Sequence, residues 1–288
     1  MASYNIAWGS HRLTLGNTTR IMGIVNITPD SFSDGGLFFN PASAIAHGEK
    51  LAQQGADILD IGGESSRPFS EPVLEEEEIR RVIPVIEKLA KRISIPISID
   101  TTKAIVAKHA IDAGASIIND ISALHSDEKI AEVAAKYGVP LILMHMKGTP
   151  ENMQLSPHYD NLFGEIKNYL KDAAEKAVNC GVDKSKIIID PGIGFGKTIE
   201  HNLLLIKNLS ELTELDFPIL IGVSRKAFIR NILKNKTKNE LKPQDPAVET
   251  GTQAAIAVAV LAGANIVRVH DVANTVSTVR IIDAIKKD

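Results

Sequence analysis

Short apolar runs, each closed by a polar side chain, recur along this chain, and the clearest is Ile187-Ile188-Ile189 before Asp190. Three β-branched residues that stop abruptly at a carboxylate describe a buried strand delivering an acid to its exit. Further runs end at Asn26, Asp60, Asp100, Asn119, His145, Ser224 and His270, with a helical pattern after nearly every one. With Asp190 these make eight strand ends, and strands alternating with helices are the signature of a parallel sheet. A closed (β/α)8 barrel, the TIM barrel of the α/β class, explains the count and gathers the end residues at the C-terminal mouth, where such barrels build their active sites.

The elements follow in order. Residues 4–18 alternate around Gly9-Ser10, which predicts a small hairpin, residues 1–18, outside and below one barrel domain over 19–288. The first barrel strand is expected at Arg20 to Val25, followed by a polar loop from Asn26 to Gly36 and a helix opened by Asn40-Pro41 and running to about Gln54. After the strand Ile58 to Ile61, a second loop from Gly62 to Pro68 leads to a helix with Ile79, Val82, Ile83, Ile86 and Leu89 on one face behind four glutamates. Pro84 inside that pattern predicts a kink or a late start. Strands are expected at 97–100, 117–120, 140–145, 187–190, 217–223 and 266–269. Lys147 to Asp160, with two prolines and few packing residues, reads as a mobile loop before a helix from Leu162 to Cys180. Lys234 to Glu249 reads as exposed and poorly ordered, Thr250 to Gly263 as a helix of small residues, and Val272, Val276, Val279 and Ile282 mark the closing helix.

Composition narrows the class. A chain of 288 residues fits one barrel, and a net charge of −3 with acids and bases interspersed gives no basic field for nucleic acid. Cys180 is the only cysteine, which excludes intrachain disulfides and thiolate zinc clusters and points to a reducing, cytoplasmic setting. The N-terminus does not read as a signal peptide, and the longest weakly polar run, Ala254 to Ile266, is too short and too rich in Ala and Gly to span a bilayer.

The motifs point to a ligand at the mouth. Gly192-x-Gly-x-Gly-Lys-Thr198 imitates a nucleotide loop, but Pro191 stands where a P-loop needs glycine and the dinucleotide spacing is wrong. It reads better as a loop whose missing side chains let a planar ligand approach the backbone, with Phe195 equally suited to covering that ligand or to packing. Asp100, Asn119 and Asp190 converge as groups that accept or exchange hydrogen bonds, matching a flat heterocycle with several N–H donors. Asn26, Arg67, Arg268 and His270 supply an anion site on the other side of the mouth. Arg forks onto phosphate oxygens, and an amide oxygen suits a Mg²⁺ ion bridging a diphosphate. Arg67 alone is equally consistent with a solvated loop. Arg268 and His270 point to one face of their strand, an arrangement that is costly in a barrel unless a ligand compensates it. Asp60 and Glu64 read as partners that hold the loops. His145, between Met144 and Met146, reads as a packed, hydrogen-bonded histidine and not as a metal ligand.

These segments resemble the dihydropteroate synthases from Met22 to Val272: Asn26-Ile-Thr-Pro-Asp-Ser-Phe32, Gly62-Gly-Glu-Ser-Ser-Arg67-Pro68, Ser98-Ile-Asp100, Asn119-Asp120, Leu143-Met-His-Met146, Asp190 through Lys197, Ser224-Arg-Lys226 and Arg268-Val-His270. The resemblance implies an SN1-like condensation of 6-hydroxymethyl-7,8-dihydropterin diphosphate with 4-aminobenzoate, giving 7,8-dihydropteroate and diphosphate in folate biosynthesis. It implies that Asp100, Asn119, Asp190 and Lys226 hold the pterin beside Met144 and Phe195. Asn26, Arg67, Arg268 and His270 would hold diphosphate and Mg²⁺, and Phe32, Ser66 and Pro68 would complete the aminobenzoate pocket, a sulfonamide target. A homodimer is also implied. Ala227 and Phe69 depart from the family pattern, where a hydroxyl and a glycine are common. The alternative is a barrel that presents methyltetrahydrofolate to a corrinoid partner; it would share the Asp, Asn and Asp site but has no use for an anion pocket.

Overall fold

The computed structural model describes residues 3–27, 41–66, 70–234 and 241–286. Strands β1 (Tyr4–Trp8) and β2 (His11–Leu15) pair antiparallel as the expected hairpin, with Tyr4 opposite Leu15 and Trp8 opposite His11. Its alternation buries Ile6, Trp8, Leu13 and Leu15 in the main core, while the intervening residues face outward. β1 packs near the short turn Lys184–Lys186 that enters a barrel strand, so the hairpin covers the barrel's lower end.

Among the described residues, eight parallel strands follow: β3 (Arg20–Asn26), β4 (Ile58–Gly62), β5 (Ile97–Asp100), β6 (Ile117–Asp120), β7 (Leu141–Met144), β8 (Ile187–Asp190), β9 (Leu220–Ile221) and β10 (Ile266–Val269). They are hydrogen-bonded in the order β8-β7-β6-β5-β4-β3-β10-β9. The ring closes through Ile189 and Ile219, with the Ile189 N–H donating to Pro218 O at 3.0 Å. β9 is shorter than the apolar run from Phe217 to Val223 suggests, and Pro218 explains part of this because it has no N–H to give the ladder.

The helices are α1 (Pro41–Gln53), α2 (Glu75–Leu89), α3 (Ala104–Asp112), α4 (Lys129–Tyr137), α5 (Leu162–Asn179), α6 (Ile199–Lys207), α7 (Ala227–Leu233), α8 (Pro246–Leu261) and α9 (Val272–Ile285). α2 starts at its glutamates and continues past Pro84, contrary to the late start allowed above. Pro84 lies on the exposed face, where the carbonyl left without a donor can turn to water. α8 begins four residues before the expected Thr250, with Pro246 in its first turn. Part of the segment expected to be poorly ordered is therefore helix, and residues 235–240 lie outside the described residues.

The segment 147–160 also departs from expectation. Gln154 Nε2 donates to Gly194 O at 2.7 Å, Tyr159 Oη donates to Gly196 O at 2.9 Å, and Met153 is buried. Its few packing residues are thus enough to pin it across the loop that follows β8.

Candidate active site

The strand ends bring Asp60, Asp100, Asn119, Asp190 and Arg268 into one layer at the mouth. Arg268, in β10, donates through Nε to Asp60 Oδ2 at 2.6 Å and through Nη2 to Asp100 Oδ2 at 2.7 Å. Asn119 Nδ2 donates to the same Asp60 oxygen at 3.1 Å. This corrects two expectations. Asp60, fully buried in β4, holds the side chains of β6 and β10 and not a loop. The Arg268 charge, expected to await a ligand, is met by two carboxylates of the protein itself, one of them Asp100 from the group assigned to the opposite side of the mouth. Glu64 does hold a loop: it pairs with Lys103, which also bonds Glu78 at 2.5 Å, while Arg81 Nη1 donates to Gly63 O at 2.8 Å.

Electrostatics at this layer are in tension. Burial pushes Asp100 up to about 7, and the nearby Asp60 charge raises it further while Arg268 opposes both. Burial likewise pushes Asp190 up to about 6 against the Gly192 N–H, which donates to its Oδ1 at 2.7 Å, and against the charge of Lys226. Lys226, at the N-cap of α7, is pulled down to about 8 by burial and by Arg268, with Asp190 and Asp100 opposing. Its ammonium lies 4.0 Å from the Phe195 ring centroid. Acids that resist ionising beside lysines that resist protonation mark a site awaiting polar ligand groups.

One wall is apolar. Met144, Met146, Met153 and Phe195 form a small buried cluster separate from the main core, with Ile121 against it. Met144 and Phe195 were expected there, while Met146 and Met153 were not singled out, although the Met-His-Met spacing places Met144 and Met146 on one side of an extended segment. A cleft lined by Ser66, Asp100, Thr101, Ile121, Met146 and Pro150 opens beside this wall, so Ser66 and Asp100 share one cleft. Across the mouth, His270 Nδ1 and Ser224 Oγ are 2.9 Å apart, tying the exits of β9 and β10. Asn26 ends β3 in register with Gly62, at the same level. Phe32, Arg67, Pro68 and Phe69 lie outside the described residues.

The loop after β8 is shaped by glycine. Gly192 and Gly196 have φ of 69° and 65°, and a Cβ on either would collide with the carbonyl oxygens of His145 and Lys147. This close approach turns Lys197 inward, where its Nζ lies 2.9 Å from His145 Nδ1 and 3.0 Å from Phe195 O. His145 is buried and hydrogen-bonded as expected, whereas Lys197 was not anticipated.

The barrel's mouth thus sets acceptors and a lysine around an aromatic and methionine wall, an arrangement suited to a flat polar ligand. A family model described as pterin binding enzyme matches residues 22–270, and the chain belongs to that family. The dihydropteroate synthase of Synechocystis sp. is 45% identical over 270 residues, spanning 94% of this chain and 91% of the relative. Among solved structures, Yersinia pestis dihydropteroate synthase in a sulfonamide drug complex matches with a TM-score of 0.90 at 42% identity, over 98% of this chain and 99% of that one. Xanthomonas albilineans dihydropteroate synthase with 4-aminobenzoic acid matches with a TM-score of 0.89 at 42% identity, over 100% of both chains. The activity that accompanies this membership is dihydropteroate synthesis, a transferase reaction.

Proposed function

We propose that the mouth condenses 6-hydroxymethyl-7,8-dihydropterin diphosphate with 4-aminobenzoate and releases diphosphate, with Asp100, Asn119, Asp190 and Lys226 holding the pterin. The observation that carries this assignment is the convergence of those four side chains on a wall of Met144 and Phe195, because a pterin offers N–H donors along one edge, a carbonyl for a cation and a flat face for the wall. Asn26, Arg67, Arg268 and His270 take the diphosphate. Arg268 is well placed to pass from Asp100 to a phosphate oxygen, since an arginine fork can exchange one carboxylate for another anion without losing its charge.

The bond from the pterin methylene carbon to the diphosphate oxygen breaks with its electron pair leaving on the diphosphate. The resulting cation is delocalised into the electron-rich heterocycle, and the Asp190 carboxylate opposes its charge. The arylamine nitrogen then attacks the carbon, and its proton leaves to solvent or to the departing diphosphate. No side chain needs to act as a nucleophile.

Mg²⁺ fits this chain as an ion that arrives with the diphosphate. Among the described residues no group of three or more His, Cys, Asp or Glu side chains could hold a metal. A hard cation that arrives on a diphosphate needs no such cage, and the Asn26 side-chain oxygen at the mouth would help hold it. When bound, Mg²⁺ would neutralise leaving-group charge. Phe32, Ser66 and Pro68 form the aminobenzoate site, which sulfonamides share because they carry the same arylamine. Pterin diphosphate binds first, since it anchors Asn26 and Arg67.

Residues 1–18 serve as a lower cap on a single barrel domain, 19–288. α8 and α9 pack together and expose Val258, Leu261, Ile281 and Ile285, an apolar face suited to a homodimer. Cys180 is exposed and unpaired, which suits a cytoplasmic setting. No helix among the described residues is long and apolar enough to cross a membrane. The test is diphosphate release with each substrate omitted in turn and no corrinoid present. Release only with both substrates supports the assignment, and release without aminobenzoate or a need for a corrinoid protein would refute it.

A further inference from the structure

Lys197 is a lysine with no surface to serve. It is 2% exposed, and the loop that carries it is closed over it. Its Nζ donates to His145 Nδ1 at 2.9 Å and to Phe195 O at 3.0 Å. His145 can receive that proton only as a neutral ring, and burial together with the Lys197 charge pulls it down to about 2. The ring is itself fixed, edge-on to Tyr169 with centroids 4.7 Å apart.

The rest of the loop is fastened around this contact. Asn202 Oδ1 accepts from Gly194 N at 2.7 Å, Gln154 Nε2 and Tyr159 Oη take the carbonyls of Gly194 and Gly196, and Phe195 N donates to Gly192 O at 3.1 Å. The carbonyl of Phe195 is the one that faces inward to Lys197. On the outer side of the same residue the ring presents its face to Lys226. One backbone unit thus has an internal cation on its carbonyl and a mouth cation on its ring.

We propose that Lys197 is a positioning residue: from inside the protein it pins the Phe195 carbonyl to the exit of β7, and so fixes the Phe195 ring at the angle that seats Lys226 and the pterin. This rests on the pterin assignment above. A purely apolar side chain would fill the space better, since an interior ion gains little stability unless it is fully satisfied. The retained polar donor therefore points to a need for direction. Lys197 is pulled down to about 7, chiefly by burial, with Lys226 and Lys147 acting the same way and Asp190 opposing. Of the remaining titratable groups, His145 touches Lys197 directly, Tyr159 and Tyr169 pack on the His145 ring, and His201, against Tyr159, feels the Lys197 charge.

The test compares Lys197→Met with Phe195→Leu and the double variant, after wild type has shown diphosphate release that depends on both substrates. If that release fails, the pterin assignment fails; the outcomes below concern Lys197 alone. Lys197→Met is expected to raise KM for pterin diphosphate about tenfold while KM for aminobenzoate at saturating pterin stays within about twofold, because a small misplacement of a positioning group is felt at the ligand it positions. The ring-current shift of the Lys226 ε-CH2 signal, read by NMR on lysine-labelled protein, should shrink. The double variant should lose no more pterin affinity than Phe195→Leu alone, since Lys197 acts through that ring. Unchanged pterin KM with an unchanged Lys226 signal overturns the proposal, as does a double variant whose losses multiply. Should Lys197→Met not fold, His145→Phe keeps the edge contact with Tyr169 but removes the acceptor. It should raise pterin KM in the same selective way, and wild-type KM in that variant also overturns the proposal.

Discussion

The lower and upper layers of the barrel are built on opposite principles. Below, Ile21, Ile58, Ile97, Ile117, Leu141, Ile187 and Ile266 come from adjacent strands, and all are at most 3% exposed. Above, within two residues along several of the same strands, stand Asp60, Asp100, Asn119, Asp190 and Arg268. The lower layer gains from every methyl group it removes from water. The upper layer buries charge: Asp100 and Asp190 are raised to about 7 and about 6, and Lys226 beside them is lowered to about 8. The lower layer therefore carries stability, and the upper one gives some up to be ready for a ligand.

The largest effect should come from the upper layer. Asp190→Asn keeps size and fold but removes the charge that favours the pterin cation and offers a donor where an acceptor is needed. Turnover should fall by about two to three orders of magnitude, as when a charge-stabilising group is removed from other enzymes, with little change in melting temperature. Steady-state kinetics beside a thermal melt checks both halves.

The matching change below is Ile188→Ala, two residues earlier on the same strand. It should cost about 2–5 kcal/mol of stability by leaving a cavity, yet leave kcat of the folded enzyme nearly intact. Denaturant titration and activity at low temperature measure the two. A mouth variant that unfolds the protein, or a core variant that abolishes turnover while folded, would erase the distinction.

Arg268→Ala probes where the upper layer holds itself together. Binding of the diphosphate ester should weaken by about one to two orders of magnitude, since a charge-assisted fork is lost. Free pterin should lose less, and its loss has a different origin: without Arg268, Asp100 takes a proton more readily and stops accepting. That part should recover as pH rises, which calorimetry at two pH values would reveal.

Smaller still is the pH dependence of the wild type. The raised acids favour the folded state below their ordinary value of 3.8, and that contribution is lost as pH rises through about 6 to 7. The lowered lysines act in reverse: their contribution is present above 10.5 and is lost as pH falls through about 8 to 7. Pterin affinity needs Asp190 and Asp100 charged and Lys226 protonated, so it should peak between an acid limb at about 6 to 7 and a basic limb near 8. A flat profile from pH 5 to 9 would contradict this.

Much of this contrast is legible in the sequence, because a β-branched run ending in a carboxylate specifies both a buried strand and a polar exit. Asp100, Asn119 and Asp190 announce themselves in that way. Asp60 has the same form but is followed by Ile61 and Gly62, and whether it meets a loop or the neighbouring strands depends on register around the closed barrel. Lys197 is harder to read. After glycines at positive φ the direction of a side chain follows from which carbonyls the backbone must avoid, and those belong to His145 and Lys147, far away in sequence. The segment 147–160 differs from its expectation for a related reason: its composition suggests mobility, but Met153 and Tyr159 find partners on another loop.

The upper layer's charges are held out of their ordinary states until a pterin relieves them, and proton-linked calorimetry tests this most directly. The enzyme is titrated with 6-hydroxymethyl-7,8-dihydropterin plus diphosphate and Mg²⁺ at pH 6 and pH 8, each in two buffers of different ionisation heat. At pH 6 binding should release roughly one to one and a half protons per site, as Asp190 gives up the proton it half holds and Asp100 most of one. At pH 8 binding should take up roughly half a proton, as Lys226 regains its charge. Tight binding with no proton exchange at either pH would contradict the account.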